Sequence, residues 1–197
     1  MEFKNLPKVL GLDISTKTIG WALFDMSNRQ LLELTHFTPK LKPKPEDKVE
    51  EHLLKAVAFG EKLKELKGLG VVDVIIEEPL LTSNNLYTVG TLMKYNSMIV
   101  KTVYDILGII PKFVSTYNAR KFAFPSLVRE NGKGKRVLFG GFEKGCDKKK
   151  IIWDEVIKLE PDIKWQYTRN DTLRKECFDM ADAYTCVKGY MSKEGIW

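Results

Sequence analysis

The sequence predicts an α/β domain built on a mixed sheet, and three observations predict it. Extended segments joined by short turns fill residues 8–39. A continuous apolar run at 71–76 follows a stretch of helical period. A second, longer helical stripe then leads into another short strand. Short turns imply antiparallel neighbours, whereas a helix between two strands implies a parallel pair.

The elements follow in order. Residues 9–15, 18–25 and 31–37 read as strands, separated by turns at Thr16-Lys17 and Ser27-Asn28. A Lys/Pro loop over 38–45 stops the third strand. Val49, Leu53, Ala56, Val57, Gly60 and Leu63 recur at helical spacing, and Gly68 and Gly70 end that helix. The strand at 71–76, closed by Pro79, is expected parallel to the first. Val89, Leu92, Met93, Asn96, Ile99, Val100, Val103, Ile106 and Leu107 mark the long helix as core or dimer interface. A strand at 112–116 precedes a turn that Asn118 is placed to cap. The glycine-rich stretch 125–147 reads as a mobile loop or an irregular hairpin, and helices near 148–159 and 174–191 complete the chain.

The 197 residues suit a single domain, expected to span 1–197 with a basic, glycine-rich insertion at 129–147. The chain contains no apolar run long enough to span a membrane and no signal-like leader. Three scattered cysteines (Cys146, Cys177, Cys186) point to a reducing, intracellular setting, cytoplasmic or nucleoid-associated, or the host-cell cytoplasm for a viral protein. Two histidines, His36 and His52, argue against a His-ligated metal. The net charge is +6, and its distribution says more than its size. Residues 112–150 hold eleven Lys and Arg against three Asp and Glu, a balance of +8, which leaves the rest slightly acidic. A concentrated basic stretch on a neutral body is a footprint for a polyanion. A solvated, solubilising loop is the bland alternative.

Four carboxylates carry the chemistry. Alternation puts Leu10, Leu12 and Ile14 on one strand face and Gly11, Asp13 and Ser15 on the other. A carboxylate within a strand is costly unless paired or bound to a cation; taken alone, Asp13 reads equally well as a strand-end charge facing water. Glu77 and Glu78 close the apolar strand and point to opposite faces, so only one of them joins Asp13. Asp179 and Asp182 share a helical face, where like charges repel by about 0.2–0.5 kcal/mol. An isolated pair of this kind is ordinarily an exposed acidic stripe. Together, two strand-borne acids and a helical pair can form a hard-cation site with oxygen ligands, suited to Mg²⁺. Two ions about 3.5–4 Å apart support phosphodiester cleavage. Gly11 and Gly20 fit no phosphate-binding loop and are assigned to hairpin geometry. Phe122, Phe124, Phe139 and Phe142 interleave with the basic residues as core or as base-stacking rings.

At these residues the sequence resembles the RuvC-type Holliday-junction resolvases of the ribonuclease H-like superfamily. The segment from Leu10 through Asp13 and Gly20 to Ala22 is similar to their first hairpin with its catalytic Asp. Val74-Ile75-Ile76-Glu77 is similar to the strand carrying their catalytic Glu, which selects Glu77 over Glu78. Asp179-Met180-Ala181-Asp182-Ala183 is similar to their terminal DxxDA helix.

The resemblance implies a ribonuclease H-like fold: a mixed five-stranded sheet, with a three-strand antiparallel meander plus parallel strands, flanked by helices. It also implies a homodimer with two Mg²⁺ ions per active site, Mn²⁺ substituting, that resolves four-way DNA junctions by paired symmetric nicks. Asp13 would bridge the ions, Glu77 would complete one sphere, and Asp179 and Asp182 the other. Cleavage would leave 5′-phosphate and 3′-hydroxyl ends. DNA-holding residues are expected at Arg120, Lys121 and Lys148, Lys149 and Lys150, with Lys133, Lys135 and Arg136 in the basic insertion.

Two departures stand out. Leu80 occupies the place of a junction-stacking aromatic residue, with Tyr87 as a substitute, and the long basic insertion admits flaps or Y-junctions as further substrates. The competing readings are an actin-like or sugar-kinase-type phosphotransferase, which needs a second domain, and a non-catalytic nucleic-acid-binding module, which needs no intact acid set.

Overall fold

The computed structural model describes residues 6–79 and 85–197. Strands β1 (Lys8–Ile14), β2 (Ile19–Asp25) and β3 (Gln30–Phe37) form the antiparallel meander. Helix α1 (Lys48–Lys64) crosses to β4 (Val71–Glu77), parallel to β1. Helix α2 (Leu86–Leu107) crosses to β5 (Lys112–Val114), parallel to β4. The strand order is β3-β2-β1-β4-β5, the mixed five-stranded sheet that the sequence predicts. Helix α3 (Thr116–Ala123), the small hairpin β6 (Val128–Glu130) and β7 (Arg136–Leu138), then α4 (Lys148–Leu159) and α5 (Glu176–Lys193) complete the chain.

The alternation in β1 sorts the two cores. Leu10, Leu12 and Ile14 join Trp21, Val74 and Ile76 beneath α1 and α2, where Phe59, Leu63, Tyr95, Ile99 and Val103 are fully buried. Val9, Ala22, Phe24 and Ile75 face the other way, against α3, α4 and α5, through Ala119, Ile152, Val156, Ala183 and Val187. Burial of each large apolar side chain contributes about 1.5–3 kcal/mol, so both helical layers are firmly held. Asp13, being out of phase with the leucines, falls on the α5 side.

Three expectations need correction. Gly11 and Gly20 do not serve the hairpin turn. A Cβ at Gly11 would lie 2.5 Å from the carbonyl oxygen of Ala183, so these glycines let α5 rest directly on the sheet. On α1, Val49, Leu53 and Val57 are exposed. The buried face runs through His52, Lys55, Ala56, Phe59, Gly60 and Leu63, because the Lys55 ammonium finds the Thr16 carbonyl oxygen at 2.7 Å and Glu51 at 2.6 Å. Strand β5 ends at Val114, and Ser115 rather than Asn118 caps the following helix, its hydroxyl accepting from the Asn118 amide. Of the two readings of 125–147, the hairpin is the one observed: the stretch holds β6–β7, whose tip is ordered by Asn131 Oδ1 accepting from the Lys133 and Lys135 amides.

Candidate active site

Asp13 stands near the end of β1, and Glu77 ends the adjacent parallel strand β4. Asp179 comes from the first turn of α5, whose N-terminal dipole favours an acid there, and Asp182 from the turn after it. All four line one cleft of about 590 Å³, together with Ser15, Thr116, Arg120 and Lys149. Glu78 and Tyr87 also line it, at the outer side. Leu80 lies outside the described residues.

The electrostatics are those of crowded, desolvated carboxylates. Burial pushes Asp13 well above the ordinary carboxylate range, and Glu77, Asp182 and Asp179 push it further, against the pull of Lys149. Burial also raises Glu77, with Asp182 adding; the Thr116 hydroxyl, Arg120 and Lys149 act the other way. Asp179 is pushed up to about 6, chiefly by burial. Asp182, only 6% exposed, is held by the Arg120 guanidinium at 3.0 Å, and the Lys149 ammonium stands 3.7 Å away.

Every member donates hard oxygen, the donor type for Mg²⁺ or Mn²⁺, and such mutual repulsion is what a divalent cation relieves. The donor set therefore fits the ion. As the side chains stand, no three His, Cys, Asp or Glu groups among the described residues form a ready-made ion cage.

The predicted basic residues divide. Arg120 and Lys149 enter the cleft. Lys148 leans over the Phe139 ring and Lys150 over Trp153, with Lys150 also bridging Asp154 at 3.0 Å, so the three consecutive lysines have three different surroundings. Lys121 lies against the Tyr117 and Phe122 rings. Lys133, Lys135 and Arg136 are exposed on the separate β6–β7 hairpin, and none lines the cleft.

Sequence reasoning missed Thr116, whose hydroxyl donates to Glu77 Oε1 at 2.7 Å. The signal for it is Ser115-Thr116 after an apolar strand, a helix-start pair that the strand expected over 112–116 hides. It also missed Cys186, which lies 3.8 Å from Glu77 Oε2 on the α5 face that holds the acids; burial pushes its thiol well up, so it stays protonated beside them.

No protein-family model matches the sequence, and no curated protein matches it in sequence. Solved structures match throughout. The fold is similar to that of Thermus thermophilus RuvC, with a TM-score of 0.55 and 12% identity over 95% of this chain and 96% of that one. It is also similar to T. thermophilus RuvC in complex with Holliday junction substrate, with a TM-score of 0.59, 10% identity and 96% coverage of both chains. The yeast mitochondrial Holliday junction resolvase Ydc2 matches at a TM-score of 0.53 and 12% identity, over 99% of this chain and 83% of that one. The chain therefore has the ribonuclease H-like fold in the form built by RuvC and Ydc2, and the resemblance read from the sequence holds at the level of fold. None of its described helices is long and apolar enough to cross a membrane.

Proposed function

We propose that this protein is a Mg²⁺-dependent, structure-selective endonuclease that cuts branched DNA, resolving four-way junctions by paired symmetric nicks. The observation that carries this reading is the convergence of Asp13, Glu77, Asp179 and Asp182 on one cleft of a junction-resolvase fold. Asp13, Glu77, Asp179 and Asp182 would hold the ions. Bound there, Mg²⁺ supplies Lewis acidity and an activated water for phosphodiester hydrolysis. The protein's own work is placement. The sheet fixes Asp13 and Glu77 side by side, Thr116 orients the Glu77 carboxylate, and α5 brings Asp179 and Asp182 over them. Burial keeps bulk water from screening the four groups. Lys149 draws the phosphate backbone towards them, while Lys133, Lys135 and Arg136 hold a more distant part of the DNA.

Residues 1–197 act as one nuclease domain, and two copies together cut the two strands. The groove between α2 and β5 suits the second copy: Met93, Tyr104, Ile110 and Phe113 are all about half or more exposed there. Symmetric cleavage needs two active sites related by a two-fold axis, which a self-complementary apolar face provides.

The test is cleavage of labelled four-way junctions, Y-junctions, flaps, linear duplex and RNA–DNA hybrid, with Mg²⁺, Mn²⁺ or EDTA. Paired nicks in the junction, dependent on the ion, are expected. Tight binding with no cleavage under any ion would make the protein a binding module instead.

A further inference from the structure

The site holds two positive charges of its own, and one is largely withdrawn from solvent. The Arg120 side chain is 12% exposed and that of Asp182 6%, with Nη2 donating to Oδ1 at 3.0 Å. An Arg–carboxylate pair frequently forms a two-point fork. Here the contact is one-sided: Arg120 Nε is buried and has no hydrogen-bond partner among the described residues. Leaving a buried donor unmatched is costly, and native proteins rarely do so without a use for it. The backbone beside Arg120 cannot shift to improve the match. A Cβ at Gly189 of α5 would sit 2.1 Å from the carbonyl oxygen of Ala119, so the residue before Arg120 is pressed against the helix that carries Asp182, two turns from it. The guanidinium can move, but its anchor cannot.

We infer that Arg120 is a built-in countercation of this site: it occupies Asp182 until a divalent cation takes the carboxylate, and its fork then turns to a phosphate oxygen of the bound strand. The inference rests on the proposed metal-dependent reading and deepens it. It accounts for two observations at once. The four carboxylates line one cleft, yet among the described residues no three of them form a ready-made cage, and Asp182 is the one that Arg120 and Lys149 engage. The idle Nε–H becomes the second prong for a phosphate, which accepts two parallel bonds from Arg. Lys149, more than half exposed, is the weaker of the two counterions, since exposed pairs contribute little. Arg120 is then a positioning residue for Asp182 in the free protein and a phosphate ligand in the complex.

The experiment measures Mn²⁺ binding by calorimetry and thermal unfolding with EDTA or with saturating Mn²⁺, for wild type, Arg120→Gln and Arg120→Lys. With the competing charge removed, Arg120→Gln is expected to bind Mn²⁺ about tenfold tighter, within the usual range of coupling between two sites. It should melt below wild type in EDTA, because Asp182 loses its partner, and recover most of that deficit in Mn²⁺. Arg120→Lys, which keeps the charge, should bind Mn²⁺ like wild type. Junction binding in Ca²⁺ should weaken for Arg120→Gln. Mn²⁺ affinity equal to or weaker than wild type in Arg120→Gln, or a stability deficit that Mn²⁺ does not relieve, overturns the inference and leaves the metal site standing. A Gln variant that folds in neither condition overturns it as well. Wild-type protein that binds no Mn²⁺ overturns the metal reading itself, and this inference with it.

Discussion

Gly20 is the cross-strand partner of Asp13, and a Cβ at Gly20 would stand 2.0 Å from the carbonyl oxygen of Asp179. The missing side chain is what lets α5 descend onto the first hairpin and set Asp179 beside Asp13. A contact that close is with backbone, so no rotamer change relieves it. Gly20→Ala is expected to cost at least about 1–3 kcal/mol, the usual range for overpacking, and to lift the acids of α5 away from the sheet. Chemical denaturation and cleavage rates of the same preparation check this; an unchanged midpoint with full activity would show that the helix is seated by other contacts.

The two adjacent glutamates separate the site from its surroundings. Glu77 is bonded by Thr116 within the cleft, whereas Glu78 is exposed at its rim. Asp13→Asn and Glu77→Gln should abolish junction cleavage and leave binding intact or tighter, since each removes a negative charge near phosphates. Glu78→Gln should keep most activity. Reversed results for the two glutamates would move the register of that strand's function by one residue.

Lys148, Lys149 and Lys150 look equivalent in sequence and are not. Only Lys149 reaches Asp182, while its neighbours rest on aromatic rings. Lys149→Ala should lower the salt slope of log K for junction binding by about 0.9, the value of one phosphate contact. Lys150→Ala should change it far less. Equal slopes for both variants would mean that the DNA path crosses the whole N-terminus of α4.

The turn after Asp13 is held by a charged relay. Lys55 donates to Thr16 and to Glu51, and Lys48 also bonds Glu51. These bonds pull Glu51 down to about 2 from an ordinary value of 4.5. A depressed carboxylate contributes stability that is present above pH 4.5 and is lost as the pH falls towards 2. Thermal melts of Glu51→Gln should therefore be lower than wild type near neutrality, with the gap closing over that window. A gap independent of pH would remove the relay from the account.

If the groove between α2 and β5 joins two copies, a charge within it should separate them. Tyr104→Glu is expected to sediment as a monomer and to replace paired nicks with single ones. A dimeric Tyr104→Glu protein would place the interface on another face.

Much of the fold was legible because periodicity is a local property. The alternation of Leu10, Leu12 and Ile14 decided which face of β1 Asp13 occupies, and the spacing of Asp179 and Asp182 put both on one side of α5. The helix before β4 predicted the parallel pairing of β1 and β4. The α1 stripe was misread for a complementary reason: apolar spacing shows which residues could be buried, and Lys55 displaced Leu53 from the core only because a distant carbonyl and a helical glutamate satisfy its charge.

The sequence by itself determined the kind of chemistry on offer, four carboxylates on two strands and a helix, with a basic segment between them. Tertiary structure alone decided the rest. That Gly11 and Gly20 are docking surfaces, that Thr116 orients Glu77, and that Arg120 reaches Asp182 across 62 residues are matters of distance between chain segments. Spacing along a chain encodes which side of an element a group takes. It does not encode how closely two elements approach, and electrostatic and steric energies depend on that approach within fractions of an ångström.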